Sequence, residues 1–288
     1  MINAALVLEG GALKGVYTSG VLDVLMEHGI EFSCVIGVSA GALAGANYIA
    51  KNIGHSARSN LMHANDPNYY GLRQLFLKRS VFNFEYLFNL NDPIDGLYPF
   101  NEDELKNTKQ RFIICATNVE TGKPVYFEGH KDYKSLTQAL KASSSIPLLC
   151  RPTVVNGITC LDGCISDPIC IKKAIAEGYD KAVLVLTRSA EYIHRQPSKR
   201  TRFFYQKIYK KYPHLIEALD NNSKMQNALL DDIKEMEKEN KVFVIRPRKK
   251  ITIKSLEKDV HALLDLYLRG REDALHALPQ MKEYLTNS

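Results

Sequence analysis

Ser39 stands at the centre of Gly37-Val38-Ser39-Ala40-Gly41, a G-x-S-x-G arrangement that bends a strand into a helix around a nucleophilic serine. The spacing has a mechanical reason. A serine on so sharp a turn sits against neighbouring backbone, so the residues two before and two after it need no side chain. Ala40 keeps the first helical turn slim. The hydroxyl then projects from the sheet's edge, with the N–H groups of Ser39 and Ala40 at a helix N-terminus, where developing negative charge is favoured. Such a serine suits acyl transfer. Small residues that only let a helix pack closely on a sheet would give the same string, so the setting has to decide.

Two further groups complete that chemistry. Gly10-Gly11-Ala12-Leu13-Lys14-Gly15 follows an apolar run at once, and backbone N–H groups of Gly10, Gly11 and Ala12 can act as donors to a tetrahedral oxyanion. Lys14 would orient the loop or add positive potential. A nucleotide-phosphate loop competes, but the strict G-x-G-x-x-G fails at Ala12 and no G-x-x-x-x-G-K-[ST] is present; a plain strand–helix turn is the other alternative. Asp162-Gly163 closes a strand-like run. From the residues alone it is either a turn pair or a working carboxylate.

The elements that must position these groups read as an α/β alternation. Ala4 to Leu8 is a buried strand and Val16 to Glu27 a helix, stopped near Gly29. Ser33 to Ile36 is the strand that carries Ser39 into a helix rich in Ala and Leu. Adjacent parallel strands would bring the two turns side by side at their C-terminal ends, where α/β proteins bind ligands. Further strands fall at Arg111 to Thr117 and Pro124 to Phe127, and a hairpin at Thr153 to Val155 and Ile158 to Leu161 turns at Asn156-Gly157. Helices fall at Ser135 to Ser145 and Ile169 to Glu177, and a strand at Lys181 to Leu186. Between Asn65 and Asn101, aromatic residues either line an acyl pocket, form a flap over Ser39, or pack short helices on the sheet.

From Arg195 the composition changes. Residues 195–211 hold seven basic side chains and no acid; 195–250 carry 15 basic against 7 acidic, a net +8 in a chain of net +6. Interleaved Phe203, Phe204, Tyr205, Tyr209 and Tyr212 suit anionic lipid headgroups, although a solvated helical face explains the charge as well. No nucleic-acid module is present, so no nucleic acid is expected as a partner. Val242 to Ile245 is a last strand. Leu256 to Leu268 and Glu272 to Leu285 read as a helical pair turned at Arg269-Gly270.

The 288 residues, 45% hydrophobic, suffice for one large α/β domain or a domain with an appendage. The N-terminus enters a strand directly without a signal-peptide pattern, and no apolar run reaches the ~18 residues of a membrane span, so a cytoplasmic protein is the expectation. Cys160, Cys164 and Cys170 lack zinc-site spacing, and the six cysteines read as reduced structural thiols.

Taken in order, the Gly-rich loop Gly10 to Gly15, the elbow Gly37 to Gly41 and the segment Asp162 to Cys164 resemble the patatin-like phospholipase family over roughly residues 4 to 190. The resemblance implies a three-layer α/β/α sandwich with a mainly parallel central sheet, and a Ser–Asp dyad without histidine. Carried over, Ser39 is the nucleophile and Asp162 the general base. Gly10, Gly11 and Ala12 form the oxyanion loop, supported by Lys14, Gly15, Gly37, Ala40, Gly41 and Gly163. The implied substrate is a lipid or phospholipid acyl ester, with no metal and no cofactor. Two positions depart from the pattern: Ala12 replaces a third glycine, and Cys164 stands where glycine or alanine follows Asp-Gly. The expected organisation is a catalytic domain at 1–190 and a basic, mostly helical extension at 191–288 with one strand near 242–245, its segment 195–211 meeting an anionic membrane. Two other readings remain open: a lipid-binding module with an inert site, and a Ser-Asp-His esterase using His194, His214, His261 or His276.

Overall fold

A computed structural model describes residues 1–129 and 132–286. Five strands form the parallel centre of an eight-stranded sheet: β1 (Ile2–Leu8), β2 (Phe32–Val38), β3 (Arg111–Asn118), β7 (Ala182–Val185) and β8 (Val242–Ile245). The order runs β3-β2-β1-β7-β8, and beyond β3 come β6 (Ile158–Asp162) and β5 (Thr153–Val155), both antiparallel to their neighbours. β4 (Pro124–Phe127) also pairs antiparallel with β3. The central strands are apolar on both faces, as a parallel sheet covered by helices requires. Along β1, Leu6 and Leu8 enter one core, whereas Ala5 and Val7 enter the other.

Eleven helices among the described residues cover the sheet. α1 (Gly15–Glu27), α2 (Ala40–Ile49), α7 (Tyr133–Ser143) and α11 (Val260–Thr286) lie over the Leu6 face; α8 (Ile171–Ala176) and α10 (Pro213–Lys238) cover the other. The result is the expected three-layer α/β/α sandwich with a mainly parallel sheet. Between α2 and β3 run the short helices α3 (His55–Met62), α4 (Leu72–Lys78), α5 (Phe84–Leu90) and α6 (Glu102–Asn107), and α9 (Lys199–Ile208) precedes α10. The hairpin turn is as expected, with Asn156 at φ 50° and Gly157 at φ 78°.

The chain's last segment departs from expectation. Instead of two helices turned at Arg269-Gly270, α11 is one helix of 27 residues. Gly270 serves a helix contact: a Cβ there would lie 2.2 Å from the Tyr17 carbonyl oxygen, and one at Gly20 would lie 2.2 Å from that of Tyr267. The two glycines let the backbones of α1 and α11 meet. Tyrosine–aspartate bonds flank the crossing, Tyr17 to Asp273 at 3.0 Å and Tyr267 to Asp23 at 2.8 Å. Downstream of residue 190, β8 extends the central sheet and α11 packs on α1, so this stretch is built into the sandwich.

Candidate active site

β1 and β2 pair in parallel with Leu8 opposite Gly37, so the Gly-rich loop and the elbow leave the sheet side by side. Ser39 is the N-cap of α2 with φ 52° and ψ −122°, left-handed backbone that a serine adopts only when its surroundings hold it there. Those surroundings are backbone. A Cβ at Gly41 would lie 2.4 Å from the Leu8 carbonyl oxygen, and one at Gly37 2.6 Å from Ala42 Cα. Gly15 sits equally close to the Ala40 methyl group. The small residues around Ser39 are thus steric requirements of the turn.

Asp162 ends β6 and its backbone pairs with Ala116 on β3. Its N–H donates to the Ser145 carbonyl at 2.9 Å, and its own carbonyl accepts from Thr117 Oγ1 at 2.8 Å. Gly163 follows because the chain passes over the Cys115 carbonyl, which a Cβ would approach to 2.4 Å. So fixed, the carboxyl accepts the Ser39 hydroxyl at Oδ2 (2.8 Å) and the Cys164 N–H at Oδ1 (2.9 Å). Both side chains are buried. Burial raises the Asp162 carboxyl above its ordinary value of 3.8, and the bonds from Cys164 and Ser39 oppose that rise in part. The direct contact leaves no gap for an imidazole. Among the four downstream histidines, His194 lines this cavity, but its ring bonds to neither Ser39 nor Asp162. Burial, followed by the nearby Arg188, lowers its pKa to about 4.

The Gly-rich loop turns over Ser39. A Cβ at Gly10 would lie 2.3 Å from Cys164 Sγ and 3.1 Å from Ser39 Cβ; one at Gly11 would meet Thr187 Oγ1 at 2.8 Å. Ala12, in the place of the third glycine, takes φ 48°. Among the described residues the N–H groups of Gly10, Gly11 and Ala12 have no hydrogen-bond partner, whereas those of Leu13 and Lys14 donate to Ser255 and Gly11 carbonyls. The N–H of Ser39 is not free, contrary to the expectation above: it donates to Ser143 Oγ at 2.8 Å, which in turn donates to the Cys115 carbonyl at 2.6 Å. Lys14 is buried, and that burial, with Arg188 nearby, lowers its pKa to about 8 despite the pull of Glu9.

Ser39 opens onto two cavities. One is walled by aromatic and aliphatic residues of the middle segment, among them Tyr69, Phe82, Phe84 and Leu87. It shares Leu43, Ser56, Asn60, Tyr69 and Leu87 with a second chamber that runs toward Phe100 and Tyr133. The other carries the charged side chains that the first lacks, Glu9, Asp162 and Arg188, together with His194, Asn222 and Gln226, among apolar residues such as Pro147, Ile165 and Leu219. Of the middle segment's aromatics, Tyr69, Phe82 and Phe84 line this first cavity and also belong, with Tyr70, to the core.

Cys160, Cys164 and Cys170 do not gather. Among the described residues Cys170 instead lies with Cys115 and Asp167, their ligand atoms within 4.8 Å of one another. Burial pushes both thiols up, so they are protonated at neutral pH.

Residues 6–175 match the family model described as patatin-like phospholipase. The chain belongs to the patatin-like phospholipase family. Residues 212–286 match a second model, a domain of unknown function (DUF6363). Family relatives include the uncharacterized protein YjjU of Escherichia coli (strain K12), 28% identical, the match covering 64% of this chain and 51% of that protein. Lysophospholipase NTE1 of Scheffersomyces stipitis is 25% identical, over 65% of this chain and 12% of that protein. The chain thus spans about half the length of YjjU and a small part of NTE1. The crystal structure of VipD from Legionella pneumophila superposes with a TM-score of 0.46 at 13% identity, covering 97% of this chain and 67% of that one. No helix among the described residues is long and apolar enough to cross a membrane.

Sequence reasoning missed Glu9, Ser143, Arg188, Asn222 and Gln226, and weighed His194 only as a triad base. Glu9 alone left a trace, as an acid closing an otherwise apolar strand.

Proposed function

We propose that this chain is a serine acyl-ester hydrolase acting on lipids, of the phospholipase A or lysophospholipase type. The observation that carries the reading is the 2.8 Å bond from the Ser39 hydroxyl to Asp162, made on a left-handed turn at the mouth of an apolar cavity. Asp162 takes the proton as Ser39 Oγ attacks the ester carbonyl. The oxyanion is received by the unpartnered N–H groups of the Gly10–Ala12 loop, with Ala40 at the positive end of α2. The alcohol leaves with the proton from Asp162, and water, deprotonated by the same carboxylate, releases the acid. An aspartate is an intrinsically weak base for a hydroxyl; its burial strengthens it. The acyl chain occupies the apolar chambers. The curated name of NTE1, a lysophospholipase, supports the ester class.

In this reading residues 1–190 carry the reaction and 191–288 buttress it. Asn222 on α10 donates to the Cys164 and Ile165 carbonyls at 2.7 and 2.9 Å, bracing the turn after Asp162. α9 exposes Phe203 (60%), Phe204 (43%) and Ile208 (58%) beside Lys199, Arg200, Arg202 and Lys207, a face suited to peripheral contact with an anionic membrane.

Release of fatty acid from anionic phospholipid vesicles containing lysophospholipid, with sedimentation in parallel, tests both parts. The wild type hydrolyses and Ser39→Ala binds without hydrolysing. Vesicle binding by a wild type that releases no acid would favour a lipid-binding module with an inert site.

A further inference from the structure

The charged cavity beside Ser39 contains a guanidinium with one unsatisfied nitrogen. Arg188 follows β7, lines this cavity and lays its guanidinium 4.4 Å over the ring of Tyr192. Its Nε is buried and hydrogen-bonds to nothing among the described residues. An unsatisfied buried donor is costly, and such a group in a folded protein calls for an explanation.

The neighbouring charges do not supply one. Glu9 is close enough to feel the guanidinium, but its Oε2 accepts from the Thr187 N–H and hydroxyl, and burial raises its pKa. Asp162 is held by Ser39 and Cys164. Lys14 adds a second positive group near Arg188, and His194 stays neutral beside it. Gln226 donates to Asn222, which donates to the turn after Asp162, so the two form a fixed wall. A planar guanidinium stacked on Tyr192 in the wall of this cavity matches the oxygens of a phosphate.

The two cavities meet at Ser39, with Ala12 and Ile146 common to both. An ester whose acyl chain fills the aromatic side must send its alcohol into the charged one. We propose that Arg188 binds a phosphate carried by that alcohol, so that the site selects phosphate-bearing acyl esters over neutral acylglycerols. Arg188 is then a specificity-determining residue of the hydrolase proposed above, on which this inference rests.

The test compares the monohexanoyl esters of glycerol and of glycerol 3-phosphate, soluble substrates that differ in the phosphate alone. The wild type prefers the phosphate ester. Arg188→Gln lowers the ratio of kcat/KM on the phosphate ester to that on the neutral one by about 10- to 100-fold, mainly through KM, as loss of a charged hydrogen bond predicts. Arg188→Lys, which keeps the charge without the fork, falls between and serves if the glutamine variant does not fold. An unchanged ratio in both variants, whatever the loss of total activity, would overturn the assignment. So would a wild type without preference that inorganic phosphate inhibits equally on both esters, since the site would then take the free anion. If neither ester is cleaved and Ser39 resists acylating probes, the hydrolase reading fails by itself. Calorimetry of Ser39→Ala with glycerol 3-phosphate against glycerol still decides on Arg188: preferential binding lost in the Ser39→Ala/Arg188→Gln protein upholds the phosphate site, and equal binding rejects it.

Discussion

Ser143 Oγ accepts the backbone N–H of Ser39 at 2.8 Å and passes its own hydrogen to the Cys115 carbonyl at 2.6 Å. One hydroxyl on α7 thereby ties the elbow to the strand between Ser39 and Asp162, and holds Ser39 at φ 52°. The same bond withdraws the Ser39 amide from any role toward an oxyanion.

Ser143→Ala leaves a buried N–H and a buried carbonyl without their partner. The expected cost is about 1–3 kcal/mol of stability. Because the elbow loses its tether, kcat is expected to fall by about tenfold, one hydrogen bond's worth of positioning. Chemical denaturation and steady-state kinetics on the folded fraction check both; full kcat in a destabilised variant would mean that the tether serves stability alone.

Gly270→Ala tests the contact of α1 with α11. Alanine gains about 1 kcal/mol of helix propensity. The added methyl meets the Tyr17 carbonyl at 2.2 Å, and overpacking of this kind costs about 1–3 kcal/mol. Backbone cannot give way as a side-chain tip does, so the clash should win. A lower Tm is expected; an unchanged or higher one would show that the helices can part freely.

The pH dependence follows from two buried groups. Asp162 must be ionised to accept the Ser39 proton, and burial raises its pKa, so kcat/KM should fall on acidification with a midpoint above 3.8. Lys14 carries the opposite sign. Its pKa is lowered to about 8, so the positive potential beside the Gly-rich loop is lost as pH rises through that value, and activity should decline. Glu9 and Arg188 flank Lys14 and set where that limb lies. Lys14→Met should abolish the alkaline limb and keep the acidic one. A rate profile whose acidic midpoint matches a freely solvated aspartate would contradict the burial account.

Much of this architecture could be read in the residues because local rules and tertiary demands coincide there. Apolar runs such as Ala4 to Leu8 fill both faces of a covered sheet, and Asn156-Gly157 supplies the left-handed backbone its hairpin needs. The G-x-S-x-G and Gly-rich segments were legible for the same reason, since each glycine answers a close contact with neighbouring backbone or side chain. Gly270 misled because a glycine that ends a helix and one that lets two helices touch look alike in sequence. Ser143 and Arg188 left no local signal. Their positions within α7 and after β7 acquire meaning only when Ser39 and α10 are brought alongside.

The central claim is that Ser39 attacks and Asp162 takes its proton. Intact-mass and peptide analysis after a fluorophosphonate challenge measures this without any choice of lipid. The wild type should be modified at Ser39, and a folded Asp162→Asn protein should react slower by about 10²-fold or more. An unmodified Ser39 in folded protein, or equal rates with and without the carboxylate, would contradict the account.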